Sequence, residues 1–297
     1  MTTLIPALIP LILVCGICAL YYWVSKKRYE SSDYYQQTHS RFFTVKSGDG
    51  NNGNGIKGEY LIWSRLRKLP GYKKFLFNCY LPKSNGETTE IDVILLHESG
   101  IYVFESKNYS GWIFGTETQQ YWTQTLPQGR KRSQKEHFFN PIIQNKVHLK
   151  WLERYLNSEP SLFYSYIVFS ERCTLKDITL TSGQHHVIKR ENILTDVKAN
   201  AQTTGTKLTQ DMIDALFAKL LPLTQTDAAQ KAAHVAEVAK KKHQKAEVED
   251  TQPLPEICPR CGGKLVLKTA TRGPHTGNNF LGCSNYPKCR YIKNIDK

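Results

Sequence analysis

At 297 residues the chain is long enough for one domain of about 150–200 residues with smaller parts attached. Forty Lys and Arg against 26 Asp and Glu leave a formal charge of +14, which favours an anionic partner, nucleic acid or an acidic lipid surface. Of eight cysteines, Cys15 and Cys18 lie in an apolar segment, Cys79 and Cys173 stand alone, and four follow position 257. That spread argues against a disulfide framework and for a reducing compartment with one metal site.

Residues 4–24 carry no charge and are long enough for a transmembrane helix, with Tyr21, Tyr22 and Trp23 at the level of an interfacial aromatic belt. Lys26-Lys27-Arg28 follow at once, so the positive-inside rule predicts a single pass through the cell inner membrane, the amino terminus outside and the rest cytoplasmic. A cleaved signal peptide is the competing reading, but a basic n-region and a small-residue cleavage site are missing. Pro6 and Pro10 make the first turns irregular, and no polar stripe marks the solvent face of a core helix. Residues 25–54 are polar and end in a Gly/Asn run, which predicts a flexible linker.

A helix is expected from Gly55, with Leu61, Ile62, Leu66 and Leu69 at helical spacing and Pro70-Gly71 ending it. Glu59 in its first turn is explained by the helix dipole alone. Residues 75–79 read as a strand, followed by Ile91-Asp92-Val93-Ile94-Leu95-Leu96 and Ile101-Tyr102-Val103-Phe104-Glu105, two strands joined by a short turn and therefore an antiparallel hairpin. With Glu98-Ser99 as the loop, Asp92 lies across from Glu105. With Ser99-Gly100 as the loop, Asp92 faces Lys107 and Glu105 is its diagonal neighbour. Either register gathers Asp92, Glu105 and Lys107 on one face, where two carboxylates need a cation. The plain alternative is a solvated face with a cross-strand ion pair, which an E-x-K by itself would satisfy.

Gly111–Phe114 and Tyr121-Trp122 read as short strands continuing the sheet, and residues 127–135 as a basic loop that either is merely solvated or holds phosphates. Asn140-Pro141 predicts an N-cap and first helical residue, with Gln144 in the first turn and Ile142, Val147, Leu149, Leu152 and Leu156 apolar. Residues 163–169 and 185–188 read as strands and 208–221 as a last helix; His185 and His186 have no evident metal partners. Residues 223–256 are rich in Ala, Lys, Gln and Glu and read as a helical or disordered spacer.

In the last module, residues 257–297, Cys258 and Cys261 form a C-x-x-C knuckle and Cys283 and Cys289 a second pair, the ligand set of one structural Zn2+. About 40 residues hold too little core to fold without it. Basic residues, among them Arg260, Lys264, Lys288 and Arg290, alternate with Phe280, Tyr286 and Tyr291, as base stacking on a charged surface requires; some of these aromatics would serve only to pack the ribbon. The run Phe280-Leu281-Gly282-Cys283 through Cys289 closely resembles the zinc ribbons at the end of bacterial type I topoisomerases, which implies binding of single-stranded DNA. A purely structural ribbon that binds protein is the alternative.

The pieces Gly55-Ile56-Lys57-Gly58-Glu59, Glu90-Ile91-Asp92, Glu105-Ser106-Lys107, Gly111-Trp112 and Asn140-Pro141 with Gln144 together resemble the nuclease-related domain family, whose fold is that of the PD-(D/E)xK nucleases. The resemblance covers about residues 55–222 and implies an α/β fold, a mixed sheet flanked by helices as in restriction endonucleases. It further implies Asp92 and Glu105 as ligands of Mg2+ (or Mn2+), Lys107 beside the attacking water, Glu59 approaching the metal and Gln144 assisting. Adjacent carboxylates keep a lysine protonated, so Lys107 is expected to orient water and stabilise charge and not to act as a free base. The expectation is a membrane-anchored nuclease acting on DNA, or a DNA-binding accessory that keeps the fold with little catalysis.

Overall fold

In the computed structural model, residues 5–42, 50–84, 86–129, 132–225, 258, 260–269 and 279–294 are described, with side chains from residue 13 onward apart from those of 50–54, 269, 279 and 294. Most of the spacer expected over 223–256, residues 226–256, and part of the expected linker, 43–49, lie outside them. Two compact units result, residues 1–230 and residues 231–297.

The chain opens with helix α1 (Ile5–Glu30) and a short α2 (Asp33–Thr38). Among the described residues no helix is long and apolar enough to cross a membrane, so the crossing expected over 4–24 finds no support there. The linker expectation is corrected over 29–42: Tyr29 and Tyr34 are fully buried and Ser32 caps α2, its side chain accepting from the Tyr35 N–H. Aromatic residues among polar ones explain the difference, since burying one such ring stabilises by about 1.5–3 kcal/mol, enough to dock a short helix. Helix α3 (Gly50–Leu66) also begins five residues before Gly55.

Strands β1 (Lys73–Pro82), β2 (Thr88–His97) and β3 (Gly100–Lys107) form an antiparallel meander. β3 then pairs in parallel with β7 (Phe163–Phe169), and β7 with β9 (His185–Lys189), giving a five-stranded mixed sheet in the order β1-β2-β3-β7-β9. One face buries Phe75, Phe77, Val93, Leu95, Tyr102 and Phe104 against α3, α5 (Ile193–Thr204) and the tyrosines of α1 and α2. The other buries Leu76, Ile94, Leu96, Ile101 and Val103 against α4 (Pro141–Leu156) and α6 (Gln210–Leu220). Asn140 caps α4 as its sequence predicts, accepting from the Ile142 N–H at 2.9 Å, although Val147 faces solvent.

The strands that directly follow β3 do not continue this sheet. β4 (Gly111–Thr116), β5 (Tyr121–Gln128), β6 (Arg132–Phe139) and β8 (Cys173–Thr179) make a second one, ordered β6-β5-β4-β8. The basic loop at 127–135 is thus largely a hairpin. Ile113 and Trp122 from this sheet pack on Ile167 and Phe169 of the first and on Ile142 of α4. The end unit is a three-stranded antiparallel sheet, β10 (Leu265–Thr269), β11 (Asn279–Cys283) and β12 (Ile292–Asn294).

Candidate functional site

The β2–β3 register decides between the two expected alignments. His97 pairs with Gly100 and Val93 with Phe104, so the loop is Glu98-Ser99, and the same count carries Asp92 across from Glu105. On the other side β1 pairs Phe77 with Val93 and Cys79 with Ile91. Phe77 and Val93 belong to one core, Cys79 and Ile91 to the opposite one, so the strict alternation of both strands breaks at Asn78 and Asp92. Asn78 has φ +51°, in the left-handed region that Asn tolerates. A break of this kind re-aims a side chain. Asp92 Oδ2 accepts the Ser106 N–H at 2.7 Å, which ties it to the strand that carries Glu105 and Lys107.

Helix α4 closes one side. Lys107 Nζ donates to Glu105 Oε1 at 2.6 Å and to Gln144 Oε1 at 3.1 Å. His148 Nε2 lies 3.1 Å from Glu105 Oε2, and its Nδ1 lies 2.8 Å from Thr89 Oγ1. Both oxygens of the buried Glu105 are therefore engaged. Asn145 Nδ2 donates to Val103 O and Ser165 Oγ, fixing α4 to the sheet.

Helix α3 supplies Glu59 from the opposite face. Its close approach depends on Gly58, where an added Cβ would lie 2.5 Å from Ser106 Oγ. Tyr34 from α2 donates its hydroxyl to Glu59 Oε2 at 2.7 Å. His148, Thr89 and Tyr34 stand outside the expected site residues. The i, i+4 spacing of Gln144 and His148, one helical face, is the signal for the histidine; nothing local joins Tyr34 to Glu59, 25 residues on.

The charges form a crowded set. Burial, then the carboxylates of Glu105 and Glu59, hold Asp92 well above the ordinary carboxyl range, against Lys107 and the Ser106 N–H. Burial and then Glu90 and Glu105 push Glu59 up to about 7, although the hydrogen bonds of Tyr34 and Asn78 pull the other way. For Glu105, burial is outweighed by Lys107 and His148 and the carboxyl stays below its usual range. Burial acts to lower Lys107, but Glu105 and Asp92 overcome it and keep the ammonium charged. Two carboxylates on adjoining strands, both hard oxygen donors, fit a magnesium- or manganese-sized cation, which takes one or two protein carboxylates and keeps its waters. Glu59 does not complete a closer cluster. Among the described residues, the one group of three or more candidate ligand atoms within reach of a single ion is that of the four cysteines.

Those four sulfurs lie within 4.8 Å of one another, with Cys258 and Cys289 at 3.6 Å and Cys261 and Cys283 at 3.3 Å. A tetrahedral zinc with Zn–S of about 2.3 Å has sulfurs about 3.8 Å apart, so the set fits one structural Zn2+. The Asn285 N–H and side-chain amide donate to Cys283 and Cys261, as partners of thiolates do. Of the expected nucleic-acid contacts, Arg260, Lys264, Lys288 and Arg290 are exposed and Tyr286 is 63% exposed, with Lys268 Nζ 5.3 Å from the centre of its ring. Phe280 is half-buried, and Tyr291 packs against the cysteine core, a structural position. Leu267 and Ile292 join the exposed surface unexpectedly.

Comparison with known proteins agrees with this geometry. Residues 54–170 match the nuclease-related domain family, and residues 255–297 the topoisomerase DNA binding C4 zinc finger. The chain is 34% identical over 168 residues to an uncharacterized protein of Bacillus anthracis, covering 56% of this chain and 75% of that one. Its end is 54% identical over 41 residues to DNA topoisomerase 1 of Methanocaldococcus jannaschii, 14% of this chain and 5% of that enzyme. Over 38 residues it is 47% identical to the uncharacterized protein YrdD of Escherichia coli, 13% of this chain and 18% of that one. No solved structure matches the chain. With Asp92, Glu105 and Lys107 gathered on adjacent strands and four cysteines poised around one ion, the chain belongs to the nuclease-related domain family and ends in a topoisomerase-type zinc ribbon.

Proposed function

We propose that this protein is a divalent-metal-dependent nuclease that hydrolyses DNA phosphodiester bonds and uses its zinc ribbon to hold DNA. The observation that carries the reading is the Lys107 ammonium, fixed between Glu105 and Gln144 and adjoining Asp92. Asp92 and Glu105 would hold Mg2+ or Mn2+, which when bound supplies an acidified water and neutralises phosphate charge. Lys107 stays protonated, so it orients a water by donating to it and stabilises negative charge building on the phosphate. Gln144 limits where the ammonium can point, and His148 limits where Glu105 can turn. Glu59, held near 7, is a carboxyl able to hold or release a proton at neutral pH.

One observation favours a second reading, a DNA-binding accessory without catalysis: both oxygens of Glu105 are already partnered, by Lys107 and His148. The full chain, incubated with single-stranded and duplex DNA in magnesium, manganese or chelator, separates the two. Metal-dependent cutting that is lost in Asp92→Ala and Lys107→Ala supports the nuclease; binding without cutting under any divalent ion supports the accessory.

Association with the inner membrane, amino terminus outside, belongs to the same proposal. Its support is the exposed apolar run that includes Leu13, Ile17, Leu20 and Tyr21, followed by Lys26-Lys27-Arg28. Flotation with anionic vesicles tests it; a chain that stays in the soluble fraction refutes it.

A further inference from the structure

The second sheet has two faces, and the core uses one. Ile113 and Trp122 turn inward, whereas the alternate residues point away. The pairings align this outer face in rows: Trp112, Thr125 and Lys135, then Phe114, Thr123 and His137, then Tyr121 with Phe139. Contacts across it match the rows, since the Tyr121 and Phe139 rings meet edge-on at 6.1 Å and Thr123 Oγ1 lies 3.2 Å from His137 Nδ1. Trp112 is 44% exposed and Phe139 38%. Lys176 on β8 sits over the Trp112 ring, 5.9 Å from its centre.

Packing accounts for the glycine before Trp112 but not for the tryptophan. Gly111 has φ +75°, and an added Cβ would collide with the Thr125 carbonyl, so the turn from β3 into β4 needs glycine. Trp112 leaves a large flat ring in water, and a cation on one of its faces does not remove that exposure.

We propose that this face binds single-stranded nucleic acid, its bases stacking on Trp112 and the Tyr121–Phe139 pair and its phosphates held by Lys135 and Lys176. A flat sheet with spaced aromatic rings suits unpaired bases, because a duplex keeps its base faces stacked inside. Charge agrees in sign: Lys135 and Lys176 are exposed, against Asp177, which pairs with Phe114, and the sequence at 128–135 carries Arg130, Lys131 and Arg132 and no acid. β4 begins four residues after Lys107, so the strand that carries Trp112 follows directly on the one that carries Glu105. The binding itself needs no cleavage and does not rest on the nuclease reading.

The test uses the full chain carrying Asp92→Ala, so that any oligonucleotide stays whole. Oligo(dT) containing 5-bromodeoxyuridine is crosslinked by ultraviolet light and the adducts are mapped by mass spectrometry, with affinity measured in parallel by fluorescence anisotropy. Expected are adducts on the outer face in addition to the zinc ribbon, a loss of affinity of about 5- to 150-fold for Trp112→Ala, and recovery in Trp112→Phe, which keeps a stacking ring. Lys135→Glu lowers affinity and flattens its salt dependence. Oligo(U) in place of oligo(dT) distinguishes RNA from DNA. Adducts confined to the ribbon, with Trp112→Ala binding both oligomers as the parent does, overturn the proposal, as does a Trp112 effect seen only with anionic vesicles. Because the readout is binding, an absence of cleavage counts against the nuclease and not against this face.

Discussion

Tyr34 offers the sharpest check on where the nuclease-related unit begins, since it lies 20 residues before the family match yet is fully buried. Its ring meets Phe77 edge-on at 4.9 Å and lies 6.1 and 6.0 Å from the rings of Tyr29 and Tyr60, while its hydroxyl donates to Glu59 at 2.7 Å. Tyr34→Phe keeps the rings together and removes one bond to a buried carboxyl, a loss of about 1–3 kcal/mol. It also takes away a donor that lowers Glu59, so the Glu59 carboxyl rises above about 7. Tyr34→Ala adds an aromatic-sized cavity and costs about 3–5 kcal/mol, a large share of the 5–15 kcal/mol that typically holds a domain together. Equilibrium urea unfolding of the full chain, followed by tryptophan fluorescence, reads both, because Trp63 packs in the same cluster and donates to Asp33 Oδ2. The order expected is parent, then Phe, then Ala, with the Ala midpoint well separated. An Ala variant within about 0.5 kcal/mol of the parent would refute the claim that α2 is part of the core of the nuclease-related unit.

Three further outcomes follow from the same geometry. His148→Ala strips Glu105 and Thr89 of a shared partner and should cost about 1–3 kcal/mol in the same unfolding assay; His148→Gln, able to donate to Glu105, should recover part of it, and an unchanged midpoint in the Ala variant counts against the bridge. Glu171 is partly buried, its side chain 30% exposed, and that burial acts to raise it, but its bonds from Arg190 and Arg65 outweigh this and hold its carboxyl at about 2. A depressed acid stabilises fully above its unfolded value and loses the contribution as pH falls toward its folded one, so the parent should weaken from about pH 5 downward. Glu171→Gln, which leaves the buried Arg190 without its carboxylate, should remove about 1–3 kcal/mol at pH 7 and flatten that acid slope; an equally steep slope in the variant would contradict the assignment. Cys283→Ser should release zinc, measured by elemental analysis, and unfold the end unit while the nuclease-related unit melts as before; retained stoichiometric zinc would exclude Cys283 as a ligand.

Patterns of period two, short-range caps and cysteine spacing were legible directly. Asn140-Pro141 capped α4 as its chemistry requires, the β2–β3 hairpin formed in one of the two expected registers, and the cysteine pairs met. The expectation that Gly111–Phe114 and Tyr121-Trp122 extend the first sheet was wrong, because a strand's own sequence does not say which edge it joins. The linker reading failed from 29 to 42 for a related reason: polar composition was weighed there, whereas the value of Tyr29 and Tyr34 lies in Tyr60 and Phe77, which are distant in sequence.

What the amino-acid sequence determined by itself was every property that depends on neighbours a few residues away. Those are the zinc-ligand spacing, the helix start at Asn140-Pro141 and the placing of Asp92, Glu105 and Lys107 on adjoining strands. Only the tertiary structure decided which further groups hold the site's side chains: His148 from α4 against Glu105, and Tyr34 from α2 against Glu59. Burial and proximity across the fold hold the Asp92 carboxyl high and the Lys107 ammonium charged. Both act through space, so no window along the chain contains them.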